Sequence, residues 1–360
     1  MLRQRNELNF AGQNIYVGID VHLKNWNVTI LTEHLHHKTF TQPSDPRLLG
    51  AYLHKHFPEG TYHSAYEAGF SGLWAHYELK NMNVNSIVIN PADVPSTQKE
   101  QLQKTDSVDS RKIARSLRAG ELTGIYIPGA DTLEARALLR ARSAIVKDLS
   151  RMKQRIKSLL YFYGIKYPAA FEKNSTHWSK RFIKWLSEDI IFTTEQGQAG
   201  LNLLIKSAIE QRKLLLEATR KIRVLSRTPK YENSLRLLRT VPGIGLVTGM
   251  TLLTEIEDIS RFANTDKLAG YIGLIPTSHS SGEKDKKGEM TFRGQAQIRS
   301  MLIESSWFAA RIDPALSMCF SKLSARMEPN KAITRIARKV LNRIYYVLKY
   351  KKEYVCDVVR

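Results

Sequence analysis

The sequence predicts an α/β domain at the start of the chain and a mostly helical remainder. Three observations carry this prediction: short alternating apolar segments fill the first 118 residues, two long apolar rows at helical spacing follow, and the pattern from residue 235 onward is helical with short loops. With 360 residues, 42% of them hydrophobic, the chain is long enough for two or three domains with their own cores.

Strand and helix signals alternate in the first domain. The segment NIYVGIDV alternates apolar residues at Ile15, Val17, Ile19 and Val21, as a half-buried strand does. The predicted strands are residues 14–21, 26–31, 38–42, 62–67 and 86–90, and the predicted helices are residues 45–57, 72–81 and 108–119. The order β-β-β-α-β-α-β-α, with three hairpin strands before the alternation, is typical of the ribonuclease H-like fold.

Two apolar rows in the middle of the chain have heptad spacing, which predicts coiled-coil helices. A connector at about residues 164–200 separates them, so an antiparallel pair within the chain or a pairing with another chain is expected. Ordinary globular core helices are the alternative. The rows are Leu138, Ile145, Leu149, Met152, Ile156, Leu159 and Tyr163, then Leu201, Leu204, Ala208, Leu215, Ala218, Ile222 and Leu225.

From residue 235 onward only helices are predicted, joined by short loops. The predicted helices are residues 235–241, 246–256, 295–311, 314–327 and 331–349. The polar, basic stretch 277–294 is long for a structureless loop, so it is expected to be functional. The predicted domains are residues 1–130, a coiled-coil and connector region 131–234, a C-terminal domain 235–350 and a tail 351–360.

The charge balance points to a polyanionic partner. The chain has 55 Lys and Arg against 34 Asp and Glu, a net charge of +21. Residues 1–130 hold 13 basic and 12 acidic side chains, residues 131–240 hold 23 and 10, and residues 241–360 hold 19 and 12. Nucleic acid is the first candidate and an anionic membrane surface the second. A solvated helix face is the alternative explanation of the basic middle.

Several classes of protein are excluded by the composition. The sequence contains no run of 18 apolar residues, so no membrane span is predicted. The first residues also lack the apolar stretch that a signal peptide is expected to have. The two cysteines, Cys319 and Cys356, exclude a cysteine zinc site and a disulfide framework. A reducing cytoplasm is therefore the expected compartment.

Four carboxylates of the first domain predict a metal site. Asp20 closes the first strand and Glu67 the fourth, and these strands are neighbours in the predicted fold. Asp106 and Asp109 are three residues apart near a helix start, which places them on one face. Two Mg²⁺ ions about 3.5–4 Å apart would neutralise four converging carboxylates and promote chemistry at phosphorus. The alternative is structural: Asp106 as a helix cap and Asp20 as a turn residue.

A glycine turn predicts a phosphate contact. VPGIG lies between two helical segments, the pattern of a helix-hairpin-helix, in which backbone N–H groups at Gly243 and Gly245 hold a DNA phosphate without reading sequence. A plain interhelix turn is the alternative.

A serine motif lies in the polar stretch. Ser280 and Ser281 precede Gly282 and are followed by four cations that would balance charge on a phosphorane: Lys284, Lys286, Lys287 and Arg293. Most Ser-Gly pairs are turns, so this motif alone favours a nucleophile only weakly.

Taken together, these motifs resemble the DEDD transposases of the bacterial IS110 insertion sequences, and the long polar loop is more similar to the IS1111 branch. The matching segments are GIDVHLK, YEAG, KTDSVDSRKIA, RTVPGIGLVTGMTLLTEI, LAGYIGLIPTSHSSG and RGQAQIRSMLIESSW. The resemblance implies a RuvC-like domain with Asp20, Glu67, Asp106 and Asp109 as the DEDD set. It also implies a C-terminal transposase domain with Ser281 as nucleophile, or Ser280 in its place.

The resemblance further implies recombination of double-stranded donor and target DNA, guided by a structured RNA. It implies a homo-oligomer, a dimer or tetramer, with active sites shared between subunits, in a bacterial cytoplasm at the nucleoid. Three alternatives stay open: a RuvC-like Holliday-junction resolvase that needs no serine, a protein-only DNA invertase, and a non-catalytic DNA-binding module.

Overall fold

A computed structural model describes residues 9–95, 106–281, 284–291 and 293–356. The chain separates into two compact units, residues 1–127 and residues 128–360. Within the described residues, no helix is both long and apolar enough to cross a membrane.

The first unit contains a five-stranded mixed sheet. Its strands are β1 (Asn14–Val21), β2 (Asn25–Leu31), β3 (His36–Pro43), β4 (Thr61–Glu67) and β5 (Val84–Ile89). Its helices are α1 (Pro46–His56), α2 (Trp74–Asn81) and α3 (Asp106–Arg118). The strand order is β3-β2-β1-β4-β5, with β2 antiparallel to both neighbours and β4 parallel to both of its own. The predicted element order is confirmed, and the unit is consistent with a RuvC-like domain.

Strand alternation builds the core of this unit. Ile15, Val17 and Ile19 of β1 are fully buried on one face of the sheet, as their period of two predicts. Helix α1 packs there through Leu49 and Leu53, and it begins where the Asp45 side chain accepts a hydrogen bond from the backbone N–H of Arg47. The opposite face of β1 is left for α3.

The second unit is mostly helical. Its helices are α4 (Ala130–Phe162), α5 (Lys180–Glu188), α6 (Glu195–Leu225), α7 (Glu232–Leu238), α8 (Leu246–Ile256), α9 (Thr265–Ile272), α10 (Ala296–Ile312), α11 (Pro314–Ser324) and α12 (Pro329–Tyr350). The expectation of helices alone from residue 235 onward is wrong. Strands β6 (Pro276–Ser281) and β7 (Lys284–Met290) form an antiparallel ribbon. Their sequences carry no apolar alternation, so periodicity gave no strand signal.

Helices α4 and α6 pack against each other in opposite directions. Near the start of α4, Leu139 shares a core with Ile222 at the end of α6, whereas Leu160 shares another core with Leu201 at its start. Leu139 and Leu160 are buried where the heptad pattern selected Leu138 and Leu159, which are only partly buried. An α-helix has 3.6 residues per turn, so a strict heptad row drifts around it.

An aromatic cluster covers the connector between α4 and α6. The rings of Phe171 and Phe182 lie 5.3 Å apart edge to face, and that of Trp185 lies 5.4 Å from Phe182. The His177 ring stacks on Phe182 at 4.6 Å, and its Nε2 lies 2.7 Å from the carbonyl oxygen of Phe171. These contacts fix the segment against the core of the helix pair.

Candidate active site

The carboxyl end of β1 places Asp20 beside β4. In the parallel register Ile19 is opposite Tyr66, so the next residues along the two strands are Asp20 and Glu67. On its other side Asp20 is paired with Asn27 of β2. The sheet therefore brings the two predicted strand-end acids to one edge.

A glycine allows α3 to approach the sheet above this edge. A Cβ added to Gly18 would lie 2.1 Å from the Ser110 carbonyl oxygen and 2.4 Å from the Ala114 nitrogen, far inside contact distance. A hydrogen bond of 2.9 Å between the hydroxyls of Thr29 and Ser110 fixes the helix over β2. Since Gly18 and Asp20 are two residues apart on a strand, they share a face, and the start of α3 lies over Asp20.

Asp20, His22 and Asp106 form a compact group. The Nε2 atom of His22 lies 3.1 Å from Asp20 Oδ2 and 3.5 Å from Asp106 Oδ2. One ligand atom from each residue lies within 4.8 Å of the other two. The Asn27 amide donates a hydrogen bond of 3.5 Å to Asp106, and an open cleft of about 670 Å³ lies beside these residues, lined also by Lys24 and Thr41.

The electrostatics of Asp20 show how closely the acids converge. Burial raises the pKa of Asp20, and the nearby charges of Asp106 and Asp109 raise this pKa further, whereas His22 lowers it. A divalent cation bound here would offset both the free-energy cost of burying the Asp20 charge and its repulsion by Asp106 and Asp109. Carboxylate oxygens with one imidazole nitrogen are a donor set that divalent cations accept, so these residues fit a divalent-metal site.

Not every predicted metal ligand joins this group. Among the described residues, the compact group consists of Asp20, His22 and Asp106, and it does not include Glu67 or Asp109. Glu67 ends β4 next to Asp20, and Asp109 lies one turn into α3, near enough to act on the Asp20 carboxylate. The four predicted acids thus lie on the neighbouring elements β1, β4 and α3, and Asp20 and Asp106 are the two that share the compact group.

His22 and Asn27 are site residues that the sequence reasoning missed. His22 lies two residues after Asp20, the spacing that puts side chains on one face of an extended segment. That spacing could have identified His22 as a site residue. No sequence pattern could have identified Asn27 before the pairing of β1 with β2 was known.

The predicted serine lies at the end of the β6–β7 ribbon. Ser281 is the last residue of β6 and pairs with Lys284, while Ser280 pairs with Asp285. Lys286 and Lys287 follow in β7, opposite His279 and Ser278. Gly282 of the predicted motif lies outside the described residues.

The base of the ribbon is closely packed. A Cβ on Gly273 would lie 2.2 Å from the Arg293 carbonyl oxygen, and one on Gly294 would lie 2.7 Å from the Gly273 nitrogen. The Arg299 guanidinium donates a hydrogen bond of 2.9 Å to the Arg293 carbonyl. Arg293, expected to contact phosphate, therefore holds the base of the ribbon through its backbone.

The two glycines of VPGIG have different surroundings. Gly243 has φ +84° and its Cβ position lies 2.3 Å from the Ser305 carbonyl oxygen, so this glycine packs against α10. Gly245 is the N-cap of α8, and nothing lies within 4 Å of its Cβ position. Helices α7 and α8 flank the turn on its two sides.

Comparisons with known proteins identify the family of the chain. Residues 17–165, which contain the acidic group, match the family model of DEDD transposases of IS110, and residues 235–320, which contain the ribbon, match that of the IS116/IS110/IS902 transposases. The chain belongs to the IS110 family of DEDD transposases. As a member of this family, the protein is a DNA transposase. DEDD transposases generally use divalent metal, and the compact group of Asp20, His22 and Asp106 is a possible site for it.

Individual relatives extend the match over most of this transposase. It is 29% identical to the putative transposase y4qE of Sinorhizobium fredii over 78% of the chain and 66% of that protein. It is 22% identical to the IS1111A transposase of Coxiella burnetii over 76% and 74%. It is also 26% identical to the pilin gene-inverting protein of Moraxella lacunata, over 94% and 97%.

Proposed function

We propose that this transposase cleaves and rejoins double-stranded DNA with Mg²⁺ held by Asp20, Glu67, Asp106 and Asp109. The observation that carries the proposal is the convergence of Asp20 and Asp106 on His22 beside an open cleft. When bound, Mg²⁺ would supply positive charge for the attacking and leaving oxygens at phosphorus.

The residues of the chain position this chemistry. Asp20 is held on a rigid strand, and α3 presents Asp106 above it because Gly18 lets the helix backbone approach. The Asn27 amide orients the Asp106 carboxylate through its hydrogen bond. These supports fix the acids before a substrate arrives, which is what an efficient phosphoryl-transfer site requires.

A serine nucleophile is the second part of the proposal. The Ser281 hydroxyl oxygen forms a bond to phosphorus while the bond from phosphorus to one DNA oxygen breaks. The proton lost by the hydroxyl is balanced by the proton that the leaving oxygen takes up, and the product is a phosphoserine link to DNA. The position of Ser281 at the end of an extended ribbon supports this role, and Ser280 is the alternative nucleophile.

Guidance by a structured RNA is the third part. Sequence-specific recombination of donor and target DNA needs a reader of sequence, and base pairing supplies one while the protein contacts only backbones. The excess of 23 basic over 10 acidic side chains in residues 131–240 supports a role of this region in holding RNA or duplex. The proposed location is the bacterial cytoplasm, at the nucleoid.

We also propose a homo-oligomer, either a dimer or a tetramer. Leu149 and Ile156, members of the predicted heptad row, are buried inside one chain between α4 and α6. Of the exposed apolar side chains on α6, Leu203 and Val224 are the most exposed, at 67% and 69%, and they remain available to a partner. Light scattering of the Leu203→Asp, Val224→Asp double variant tests this: a lower mass supports a partner at this face, and an unchanged mass contradicts it.

A protein-only DNA invertase is the second candidate function. It is favoured by the likeness to the Moraxella pilin gene-inverting protein, which spans nearly the full length of both chains. The two functions differ in their dependence on RNA. An invertase acts on DNA with no RNA present, whereas the proposed recombinase is inactive after its RNA has been removed.

The deciding experiment is to purify the protein from its host, sequence the nucleic acid bound to it and assay strand exchange in Mg²⁺ before and after ribonuclease treatment. Changing the pairing bases of the RNA should redirect the target site. Ser281→Ala should abolish strand exchange and the covalent adduct trapped on a nicked substrate. Full activity with Ala at both Ser280 and Ser281 would contradict the serine mechanism and favour a resolvase.

A further inference from the structure

A pocket between helices α4 and α6 lies beside Trp178 of the connector. Its volume is about 310 Å³, and its walls are formed by apolar side chains of both helices, among them Leu149 and Leu215, with Ile183 of α5. Lys153 and Arg212 place two cations at the same pocket. An apolar cavity with a few polar groups at its edge is the usual form of a ligand site.

Trp178 has an unusual backbone conformation. Its φ is +65°, in the left-handed region that bulky side chains rarely adopt. The Arg212 guanidinium donates a hydrogen bond of 2.9 Å to the Trp178 carbonyl oxygen, and the Phe182 ring meets the indole edge to face at 5.4 Å. Strain of this kind is found preferentially at functional sites.

The two cations of the pocket are Lys153 and Arg212. Among the described residues, no carboxylate lies within 4.0 Å of Lys153 or Arg212. The Lys153 ammonium instead lies 5.2 Å from the centre of the Trp178 ring. Burial lowers the pKa of Lys153, and the charges of Arg212 and Lys157 lower it further. An anion would relieve this concentration of positive charge.

The side of α4 that carries Lys153 continues beyond the pocket. Lys157 and Tyr161 follow Lys153 at intervals of four residues, which places them along one side of the helix. They line a second, more open cleft of about 950 Å³, together with Phe162 and Lys166. Tyr161 is 88% exposed, so its ring is available for stacking.

We propose that this pocket binds an unpaired nucleotide of an RNA, with the base stacked on Trp178 and its phosphate held by Lys153 and Arg212. The neighbouring base stacks on Tyr161. The identity of the polymer as RNA rests on the proposed function. Bases inside a duplex cannot enter a pocket, whereas unpaired loop bases are the usual target of aromatic stacking in RNA recognition.

The test measures binding of a labelled oligouridylate by fluorescence anisotropy. Trp178→Gly removes the ring and suits a positive φ, so it preserves the backbone. We expect it to weaken binding roughly tenfold or more. Tyr161→Ala, at an exposed position, should weaken binding several-fold. Lys153→Gln should also weaken binding, and the slope of log K against log salt should become shallower by about 0.7, the value for one contact to a single strand.

The matched control is Lys213→Gln, which removes a cation next to Arg212 in sequence. Lys213 is 66% exposed, pairs with Glu210 at 2.7 Å and does not line the pocket, so its loss should change affinity little. Thermal melting shows that each variant remains folded. Equal losses for Lys213→Gln and Lys153→Gln would mean a diffuse charge effect and overturn the proposal.

The remaining outcomes separate this inference from the proposed function. If the wild-type protein binds its RNA and performs guided strand exchange, but Trp178→Gly and Tyr161→Ala bind oligouridylate normally, the pocket assignment is wrong and the proposed function stands. If the protein recombines DNA without RNA while oligouridylate binding still depends on Trp178, the pocket is supported and RNA guidance fails. Binding of oligothymidylate in preference to oligouridylate would overturn RNA as the ligand.

Discussion

The imidazole Nε2 of His22 lies 3.1 Å from a carboxylate oxygen of Asp20, just beyond the end of β1. In this position His22 offers a nitrogen ligand to a site otherwise made of carboxylates. Imidazole is a better ligand for first-row transition-metal ions, of which Mn²⁺ is one, than for Mg²⁺, which prefers oxygen ligands. We therefore expect the histidine to affect which divalent cation binds most tightly at these residues.

We predict that the wild-type protein binds Mn²⁺ more tightly than Mg²⁺ and that His22→Gln loses roughly tenfold in Mn²⁺ affinity, because it loses the nitrogen ligand. Mg²⁺ affinity should change much less. Isothermal titration calorimetry with each chloride salt measures both. Equal losses for the two ions would show that His22 supports the fold of the site and does not discriminate between metals.

Asp20→Asn should raise the melting temperature of the metal-free protein while abolishing DNA cleavage. Burial raises the pKa of Asp20, so its charged form costs folding free energy at neutral pH, and the amide removes that cost. A carboxyl group whose pKa is raised by folding binds its proton more tightly in the folded state, so stability falls as pH rises through that pKa.

The difference in melting temperature between Asp20→Asn and wild type should therefore be larger at neutral pH than in mild acid. Scanning calorimetry in a chelator, at two pH values, checks this, and adding a divalent cation should reverse the order by stabilising only the wild type. A variant less stable than wild type at neutral pH in the chelator would contradict the electrostatic account.

Gly18→Ala should disrupt the site from a distance. The added methyl group overlaps the Ser110 carbonyl and the Ala114 backbone, so α3 must shift and carry Asp106 away from Asp20. A destabilisation of at least about 2 kcal/mol is expected, with loss of metal binding. Gly200→Ala is the control: nothing lies within 4 Å of its Cβ position in α6, and alanine should stabilise that helix slightly. Denaturant titration compares the two.

The turn before α8 can be tested at Gly245 because that position has room. Gly245→Asp supplies a favourable helix cap, so the melting temperature should hold or rise, but its negative charge should weaken duplex DNA binding roughly tenfold if the turn contacts phosphate. Gly245→Ser, a neutral cap, is the control. DNA affinity that is the same for both variants would show that the turn only connects two helices.

Much of the first unit follows from the sequence because its strands alternate cleanly and its acids stand at strand ends. The adjacency of Asp20 and Glu67 was predictable once β1 and β4 were neighbours, since parallel strands end at one edge. The role of Gly18 could not be predicted, because a glycine within a strand indicates a close approach of backbone but not which helix makes it. The β6–β7 ribbon was not predicted, because its strands are defined by backbone pairing and their sequences show no apolar alternation.

The close packing of Gly273 and Gly294 anchors the base of the ribbon to the helices, and this makes the ribbon a structural spacer. From Pro276 to Ser281 the strand advances about 17 Å, at about 3.4 Å per residue. Deleting two paired residues from each strand would draw Ser281 back by about 7 Å while leaving the anchoring contacts unchanged. The distance of Ser281 from the base of the ribbon can therefore be changed in steps of about 7 Å without altering any helix.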